Sequence, residues 1–325
     1  MNRLRKVSTV GAVAAVTVGI VTGCGDSTTD SGGGAAAGVE TVRIGVGVDS
    51  AYTPFFLAES EGMFDEAGLD VELVQFAVGG EAVDALSTDA VQLAGTSEVT
   101  AIGRLNQNED LRAILVYQES GDYLKVVLRE GLSDVSEAQR IGFVPGLSEL
   151  SALKLLESES IDPSAVEMIS VGPPEAVPLM ERGDIDAFVM WEPWPANAAE
   201  QGHQIAMSTG DYGWSYVHWL LGNESWIQEN EETAQTLAGV LAEAAEMTEQ
   251  DPQTAAEATE AATSVPVPDT LTAIDEIDFA VRSITEENLP DLQSVADYYV
   301  ETGKADTALD VESAVLLDWY EGQGE

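Results

Sequence analysis

Residues 42–76 of the chain read VRIGVGVDSAYTPFFLAESEGMFDEAGLDVELVQF, and this stretch decides the fold. Residues 42–46 alternate between apolar and other side chains in the manner of a β-strand. Pro54 then begins an apolar helix that Gly62 can end, since proline suits the first turn of a helix and glycine its end. A second strand pattern follows Gly68. A strand, a helix and a strand at this spacing favour an α/β fold with parallel strands.

The same alternation continues to about residue 128 and then starts again. In the first round, strand and helix patterns occupy residues 79–86, 91–94, 97–106, 112–117 and 124–128. In the second round, they occupy residues 141–144, 148–157, 166–171, 173–182 and 186–190. Two rounds predict two similar lobes, each with a parallel-rich sheet flanked by helices. Beyond about residue 225 we predict helices at 227–247, 252–263, 270–279, 292–303 and 311–320.

The formal net charge of −45, from 58 acidic and 13 basic residues, restricts the partners of the protein. This charge argues strongly against nucleic acid or an anionic membrane surface, because both would repel the chain. The acidic residues are scattered along the sequence rather than gathered in one tail. We interpret them as a hydrated surface suited to high salt, where the repulsion between like charges is screened.

The first 38 residues indicate export and lipid anchoring. Residues 1–23 combine basic residues with a short uncharged stretch, which is typical of a secretory signal peptide rather than a permanent membrane span. The stretch ends in VTGC, which resembles the bacterial lipobox, so Cys24 is predicted to be lipidated on the outer face of the cell membrane. The alternative is a buried free thiol. Residues 24–38 are mostly Gly, Ser, Thr and Ala, which predicts a flexible tether.

Several short motifs come in a fixed order between about residues 39 and 197. They are VRIG at 42–45, PFFLA at 54–58, GMF at 62–64, GLDVE at 68–72, GPPEA at 172–176, GDIDAFV at 183–189 and WEP at 191–193. Together they resemble the sulfonate, taurine, nitrate and thiamine-precursor binding proteins of ABC importers, a periplasmic-binding type II family. The run around WEP is similar to the taurine-binding branch in particular.

The resemblance implies a two-lobe periplasmic-binding fold, of the Venus-flytrap kind, that closes on a solute and presents it to an importer permease. Residues 39–122 would form the first part of lobe 1, and residues 123–213 would form lobe 2. Residues 214–325 would return to lobe 1 and supply the C-terminal helices. The chain would cross between the lobes twice, and the crossings would act as a hinge.

In such folds, ligands lie at the carboxyl ends of parallel strands, beside helix N-termini whose amides favour oxygen-rich or anionic groups. We therefore predict ligand contacts from Ser50, Tyr52, Thr53, Gly80, Thr96, Ser97, Gln118, Gly146, Ser148, Trp191, Glu192, Trp194 and Tyr212. The alternative for the loop residues is ordinary capping and turn formation. For the aromatic residues, the alternative is packing in the core or between the lobes.

The resemblance favours a sulfonate or a taurine-like solute, and two acidic residues bear on that choice. The family often has hydroxyl residues and a histidine where this chain has Leu147 and Glu149, and Glu149 would oppose an anion. Glu192 matches the acid that accepts the ligand amine in taurine-type sites, so a zwitterion would ease the charge problem. A thiamine-precursor-like heterocycle stacked on tryptophan or tyrosine, or nitrate, is the alternative.

Catalytic and metal-binding patterns are weak. His203 and His218 are the only histidines and lack the spacing of a metal pair, and the sequence has no Walker-type phosphate loop or dinucleotide fingerprint. We therefore expect no enzyme activity, no cofactor, no metal, and a monomer whose partners are a small solute and a permease. The alternatives are an enzyme of the same fold that makes a pyrimidine or menaquinone intermediate, and a surface protein without a transported ligand.

Overall fold

The structure, a computed structural model, describes residues 40–320 and residue 322. The predicted signal peptide at 1–23, the lipidation of Cys24 and the tether at 24–38 lie outside the described residues. Within the described part, the chain forms two five-stranded sheets with helices packed on them. No helix in this part of the chain is long and apolar enough to cross a membrane.

The first sheet combines four strands from the first part of the chain with one strand from much later. Its order is β2-β1-β3-β10-β4. β1 is parallel to β2 and β3, whereas β10 runs antiparallel to β3 and β4. The strands are β1 (Val42–Gly47), β2 (Val71–Phe76), β3 (Leu93–Ser97), β4 (Leu111–Ser120) and β10 (Tyr216–Asn223).

The second sheet repeats the same layout in the order β7-β6-β8-β5-β9. β6 is parallel to β7 and β8, whereas β5 runs antiparallel to β8 and β9. The strands are β5 (Lys125–Leu128), β6 (Arg140–Phe143), β7 (Glu167–Ser170), β8 (Ala187–Met190) and β9 (Gln204–Ser208). The prediction of two similar sheets is therefore confirmed.

Both sheets are mixed rather than parallel-rich, and chain direction explains why. β5 and β10 each follow a crossing from one sheet to the other, at residues 121–124 and 209–215. The crossings lie at the edge where the parallel strands end, so a strand that begins there must run in the opposite direction. β9 and β10 were missing from the predicted strands.

Five of the seven helices in the two α/β halves lie at predicted positions, whereas α2 and α7 were not predicted, and the helices near the C-terminus also differ from prediction. Those between the strands are α1 (Thr53–Ser60), α2 (Met63–Glu66), α3 (Gly79–Leu86), α4 (Glu98–Leu105), α5 (Leu147–Ser158), α6 (Ala176–Glu181) and α7 (Trp194–Glu200). The later helices are α8 (Glu224–Glu229), α9 (Glu231–Gln250), α10 (Pro252–Thr263), α11 (Val267–Glu276), α12 (Leu289–Glu301) and α13 (Val311–Ala314). α9 and α10 pack on α1, and α12 packs on α4, so these helices belong to the first sheet.

Two predicted C-terminal helices end earlier in the structure because the chain beyond them pairs with the edge strand β4. The helix predicted at 270–279 ends at Glu276, and Asp278 then bridges to Glu119. The helix predicted at 311–320 ends at Ala314, and the chain beyond it forms a bridge between Val315 and Ala113. Exposed edge strands present unpaired backbone groups, and these bridges satisfy several of them.

The two crossings contact each other directly, which makes this the narrowest part of the molecule. The Gly210 N–H donates to the Gly121 carbonyl at 2.5 Å, and the Thr209 hydroxyl donates to the same oxygen at 2.7 Å. The Thr209 N–H also donates to the Leu124 carbonyl at 3.0 Å. A Cβ atom on Gly210 would lie 3.1 Å from the Gly121 oxygen, so the close approach depends on glycine.

A buried carboxylate holds the second sheet together. Asp186 precedes β8 and accepts hydrogen bonds from the side chains of Arg129 and Arg140 at 3.0 Å each. It also accepts the backbone N–H groups of Gln139 and Arg140 at 3.2 and 3.1 Å. Burial opposes ionisation, but the hydrogen bonds from Arg140 and Arg129 outweigh it and lower the pKa of Asp186. The ionised carboxylate therefore ties β6 and β8 to the start of the loop after β5.

We expect Asp186→Asn to lower the free energy of unfolding by about 2–4 kcal/mol, because it leaves two arginines and two backbone N–H groups without their charged partner. Asp184→Asn, at an exposed pair with Arg182, should change it by less than about 0.5 kcal/mol. Urea unfolding measures both. Since the pKa of Asp186 is depressed, its contribution should vanish as the pH falls below about 4. Equal effects of the two substitutions would contradict this assignment.

Candidate functional site

A cavity of about 710 Å³ lies between the two sheets, at the edge where their parallel strands end. Residues after β1 and β3 of the first sheet and after β6 and β8 of the second sheet line it. Its volume falls within the range of small-molecule sites. The position follows the rule that ligands of open α/β sheets bind at the carboxyl ends of the strands.

Three helices from the two sheets begin at this cavity. α3 begins at Gly79, α4 is capped by Ser97, and α5 begins after Gly146. The Ser97 hydroxyl accepts the Thr100 N–H at 3.2 Å, whereas α3 and α5 have no side-chain cap. Helix N-termini carry partial positive charge and free N–H groups, so their convergence favours an oxygen-rich or anionic ligand group.

Glycine allows these helix ends to approach one another. A Cβ atom on Gly79 would collide with the Thr96 hydroxyl, which lies on the next strand. Gly146 has a φ of +100°, and a Cβ atom there would lie 2.5 Å from the Thr100 hydroxyl across the cavity. A side chain at Gly146 would therefore be strained in its backbone and would push the two sheets apart.

Aromatic rings form one wall of the cavity. Tyr52, Tyr216 and His218 lie side by side, with the His218 ring centre 5.8 Å from that of Tyr52 and 5.6 Å from that of Tyr216. The Tyr52 hydroxyl donates to the Gly95 carbonyl at 3.0 Å. Burial lowers the pKa of His218 to about 3, so its ring is neutral at ordinary pH. Tyr123 and Trp191 add further aromatic surface to the lining.

Two acidic residues near this wall have raised pKa values. Burial raises the pKa of Asp49, which follows β1 and lines the cavity, to about 6. Burial also raises the pKa of Glu98 to about 8, although the backbone N–H groups around it act in the opposite direction. One of these, the Val217 N–H, donates to Glu98 at 3.1 Å. At neutral pH, Asp49 is mostly ionised and Glu98 is mostly protonated.

The mouth of the cavity is closed by an ion pair between the two halves of the molecule. Lys304, which follows α12, contacts Glu149 of α5 at 2.6 Å. Arg104 is the other basic residue in the lining, and it pairs with Asp84 at 2.9 Å. Among the residues that the structure describes along this cavity, both basic side chains therefore have acidic partners.

Seven of the predicted ligand-binding residues line the cavity. They are Tyr52, Gly80, Thr96, Ser97, Gly146, Ser148 and Trp191. Ser148 is nonetheless occupied by the fold, because its hydroxyl donates to the Val189 carbonyl at 2.5 Å and accepts the Val144 N–H at 3.0 Å. Its backbone rather than its hydroxyl is therefore the part available to a ligand.

The other six predicted residues lie outside the lining, and five of them make contacts within the fold. Ser50 and Thr53 hydrogen bond to Thr270 and Thr259 at 3.1 and 3.0 Å, which ties α1 to the C-terminal helices. Gln118 is buried in β4. Trp194 begins α7 and packs against the core of the second sheet. The Tyr212 hydroxyl donates to the Ser151 carbonyl at 3.1 Å.

Glu192 is the most informative of these residues because a specific role was predicted for it. Its carboxylate accepts from Lys125 at 2.9 Å and from the Ala196 N–H at 3.0 Å. Lys125 also contacts Glu276 at 2.8 Å, so the three side chains form a buried cluster beside the crossing. Glu192 is not among the lining residues and both of its carboxylate oxygens have partners within the fold, so the structure does not favour it as the acceptor for a ligand amine.

Sequence reasoning missed several lining residues, and most had no local signal. Tyr299, Lys304 and Thr307 reach the cavity from the α12 region, far from the α/β motifs in sequence. Tyr216 and His218 lie on β10, a strand that the sequence patterns did not predict. Within the described part of the chain, no group of three or more His, Cys, Asp or Glu side chains is placed to hold a metal ion.

Comparison with known proteins identifies relatives for most of the chain. Residues 35–263 match the NMT1-like family. The taurine-binding periplasmic protein of Escherichia coli (strain K12) is 25% identical over 179 residues, which cover 54% of this chain and 55% of that protein. The chain thus spans about half the length of the curated relatives it matches.

Two solved structures share the fold. The periplasmic aliphatic sulphonate binding protein SsuA from Escherichia coli has a TM-score of 0.76 at 18% identity, covering 85% of this chain and 92% of that chain. The alkanesulfonate-binding protein SsuA from Xanthomonas axonopodis pv. citri, bound to MOPS, has a TM-score of 0.77 at 17% identity, covering 86% and 99%. The predicted two-lobe periplasmic-binding fold is therefore confirmed.

The raised pKa of Glu98 predicts a specific dependence of stability on pH. The folded protein binds this proton more tightly than the unfolded chain, so stability should fall as the pH rises from about 4.5 to about 8. Glu98→Gln keeps an acceptor for the Val217 N–H and should reduce that slope, by at most about 1.4 kcal/mol per pH unit. Chemical unfolding between pH 5 and 9 measures it, with exposed Glu109→Gln as the control. Parallel curves for wild type and Glu98→Gln would show that Glu98 is already ionised.

Proposed function

Because this chain belongs to the NMT1-like family, we propose that it is the extracytoplasmic solute-binding protein of an ABC importer. It captures a small polar organic solute by closing two lobes around it. Lobe 1 consists of residues 39–122 and 214–325, and lobe 2 consists of residues 123–213. The narrow contact between the crossings serves as the hinge, and the closed form is the one that the permease recognises.

The convergence of three helix N-termini from both lobes on one cavity is the observation that carries this proposal. α3 and α4 belong to lobe 1, whereas α5 belongs to lobe 2. The N–H groups of Gly80, Leu147 and Ser148 donate no hydrogen bond within the described part of the chain. A ligand oxygen placed there would bind groups from both lobes at once, and would therefore favour the closed form over the open one.

A sulfonate or a taurine-like solute suits this arrangement best. The names of the taurine-binding relative and of the two SsuA proteins describe them as binding molecules of this class. A sulfonate group presents three oxygen atoms, which free backbone amides can bind without a basic side chain. Nitrate is less suitable, because the cavity of about 710 Å³ is far larger than that ion. The aromatic wall leaves a thiamine-precursor-like heterocycle as the second candidate, since such a ring could stack on Tyr52 or Trp191.

We also propose, from the sequence, that the protein is anchored by a lipid to the outer face of the cell membrane. Cys24 at the end of the VTGC motif would carry the lipid, and residues 24–38 would connect it to the folded lobes. Two or more acyl chains anchor a protein firmly, since each buried methylene contributes about 0.8 kcal/mol. The importer permease and the solute are the proposed partners.

We expect a thermal-shift screen in high salt to find one class of solute that raises the melting temperature. A ligand that binds only the native state must stabilise it, by about 2.7 kcal/mol at a hundredfold excess over its Kd. Taurine, alkanesulfonates, nitrate, thiamine precursors and polyamines form the panel. Gly146→Ala should abolish the shift while leaving the fold intact, because it obstructs closure. A panel with no shift at all would overturn the transport proposal.

The ion pair between Lys304 and Glu149 should stabilise the closed form. Lys304→Ala should weaken solute binding about threefold, since a partly buried pair of this kind contributes about 0.5–1 kcal/mol. Lys154→Ala removes the exposed pair with Glu157 on the same helix as Glu149 and serves as the matched control. Isothermal titration with the strongest binder of the panel measures both. Unchanged affinity in Lys304→Ala would remove the ion pair from the closing mechanism.

A further inference from the structure

We infer that the solute carries a positively charged amine or alkylammonium group, which binds between the carboxylate of Asp49 and the hydroxyl of Tyr216. This inference rests on the proposed function and adds the chemistry of one end of the ligand. It also proposes that the ammonium group binds to Asp49, which follows β1, instead of Glu192, which follows β8. The contacts of Asp49 and Tyr216, the balance of charge in the cavity and the aromatic surroundings each support it.

Asp49 has one carboxylate oxygen in use and one available. Its Oδ1 accepts the Ala51 N–H at 2.9 Å and the Tyr123 hydroxyl at 3.4 Å, which fixes the orientation of the carboxylate. Its Oδ2 accepts no hydrogen bond from any residue that the structure describes, and no basic side chain forms an ion pair with it. Asp49 lines the cavity, so a ligand donor can reach this second oxygen.

The hydroxyl of Tyr216 is a second, independent sign of an absent partner. Tyr216 is almost fully buried and lines the cavity, yet its hydroxyl makes no hydrogen bond within the described part of the chain. A buried polar group without a partner costs about 1–3 kcal/mol, so such groups are retained where a ligand satisfies them. Burial, and after it the negative charge of Asp49, raise the pKa of Tyr216, so its hydroxyl is neutral. Asp49 and Tyr216 line the same cavity.

The charges around the cavity favour a cation at this end. Arg104 and Lys304 are the basic residues of the lining, and each is already paired with an acid. Asp49 therefore has no countercharge, and an anionic group placed against it would be repelled. A protonated amine would neutralise it, and the aromatic rings of Tyr52 and Tyr216 in the lining suit a cation as well.

The two ends of the cavity then have different roles. The helix N-termini at Gly80 and Leu147 suit an oxygen-rich group, and Asp49 with Tyr216 suits an ammonium group. Zwitterionic solutes use both ends, and simple organic cations use only the second. The same ammonium site serves both classes, and matched ligand pairs separate them.

The test compares ligands that differ only in the charged nitrogen. Isothermal titration at pH 7.5 would use taurine against 1-propanesulfonate, and choline against 3,3-dimethyl-1-butanol. We expect the nitrogen-bearing member of at least one pair to bind at least tenfold more tightly. Asp49→Asn should reduce that preference to less than threefold. Glu81→Gln, which removes an exposed acid from the cavity rim, should leave the preference unchanged.

A second variant and a pH titration keep the test independent of the folding of Asp49→Asn. Tyr216→Phe keeps the ring and should weaken ammonium binding threefold to tenfold. Since burial raises the pKa of Asp49 to about 6, choline, whose charge is fixed, should bind about tenfold more weakly at pH 5 than at pH 7.5. Among the titratable groups around Asp49, His218 stays neutral in this range, and burial raises the pKa values of Tyr52, Tyr117, Tyr123 and Tyr216, so these tyrosines stay neutral as well. Burial raises the pKa of Glu98 to about 8, so Glu98 is still mostly protonated at pH 7.5 and changes the binding of a cation less than Asp49 does.

Each remaining outcome separates this inference from the proposed function. Equal binding within both pairs, or a preference that survives in Asp49→Asn, overturns the ammonium site and leaves the solute-binding function in place. If neither pair binds and the wider panel yields a solute without an amine, the ammonium site is again overturned. If the panel yields a different amine, its deaminated analogue replaces the pairs above. The absence of any binder overturns the proposed function itself.

Discussion

The contact between Gly121 and the Thr209–Gly210 backbone is the constraint on which the rest of the architecture depends. Two sheets with the same strand order are joined there by two short segments held together by hydrogen bonds. The parallel strands of both sheets end at this level, so their loops and the first turns of α3, α4 and α5 must face a common space. The same crossings make β5 and β10 antiparallel. The cavity and the helix N-termini that face it are therefore consequences of one connection rather than separate features.

Electrostatics explains how an extremely acidic chain can still bind selectively. Most of its 58 acidic residues lie on the hydrated surface, whereas the few acids near the cavity are sorted by their surroundings. Glu149 is neutralised by Lys304, and Glu192 is held by Lys125. Burial keeps Glu98 mostly protonated at neutral pH, while Asp49 is left ionised and without a basic partner. The amides of three helices supply the complementary positive end. The cavity is thus polarised along its length, although the chain as a whole is uniformly negative.

Most of the fold could be predicted from sequence because its signals are local. These signals depend on residues that are close together in the sequence. They are the alternation in residues 42–46, Pro54 and Gly62 at the ends of α1, and the order of the motifs up to residue 197. The seven predicted residues that line the cavity follow strands whose ends the pattern reveals. The six that lie outside the lining are placed by long-range packing: Ser50 and Thr53 are held by threonines of α10 and α11, and Glu192 by Lys125 across the sheet. Lys304 and Tyr299 approach the cavity only through the packing of α12 on α4, which no local pattern encodes.

Closure around a solute is the central claim, and the distance between the lobes tests it most directly. Spin labels at Glu109→Cys and Glu159→Cys, in a Cys24→Ser background without other thiols, would mark exposed sites on the two lobes. Double electron–electron resonance with and without the solute that gives the largest thermal shift reports the distance distribution. Two rigid lobes on a hinge predict a broad distribution for the free protein and a narrow one, matching the closed structure, for the complex. A single narrow distribution that is identical in both states would contradict the account.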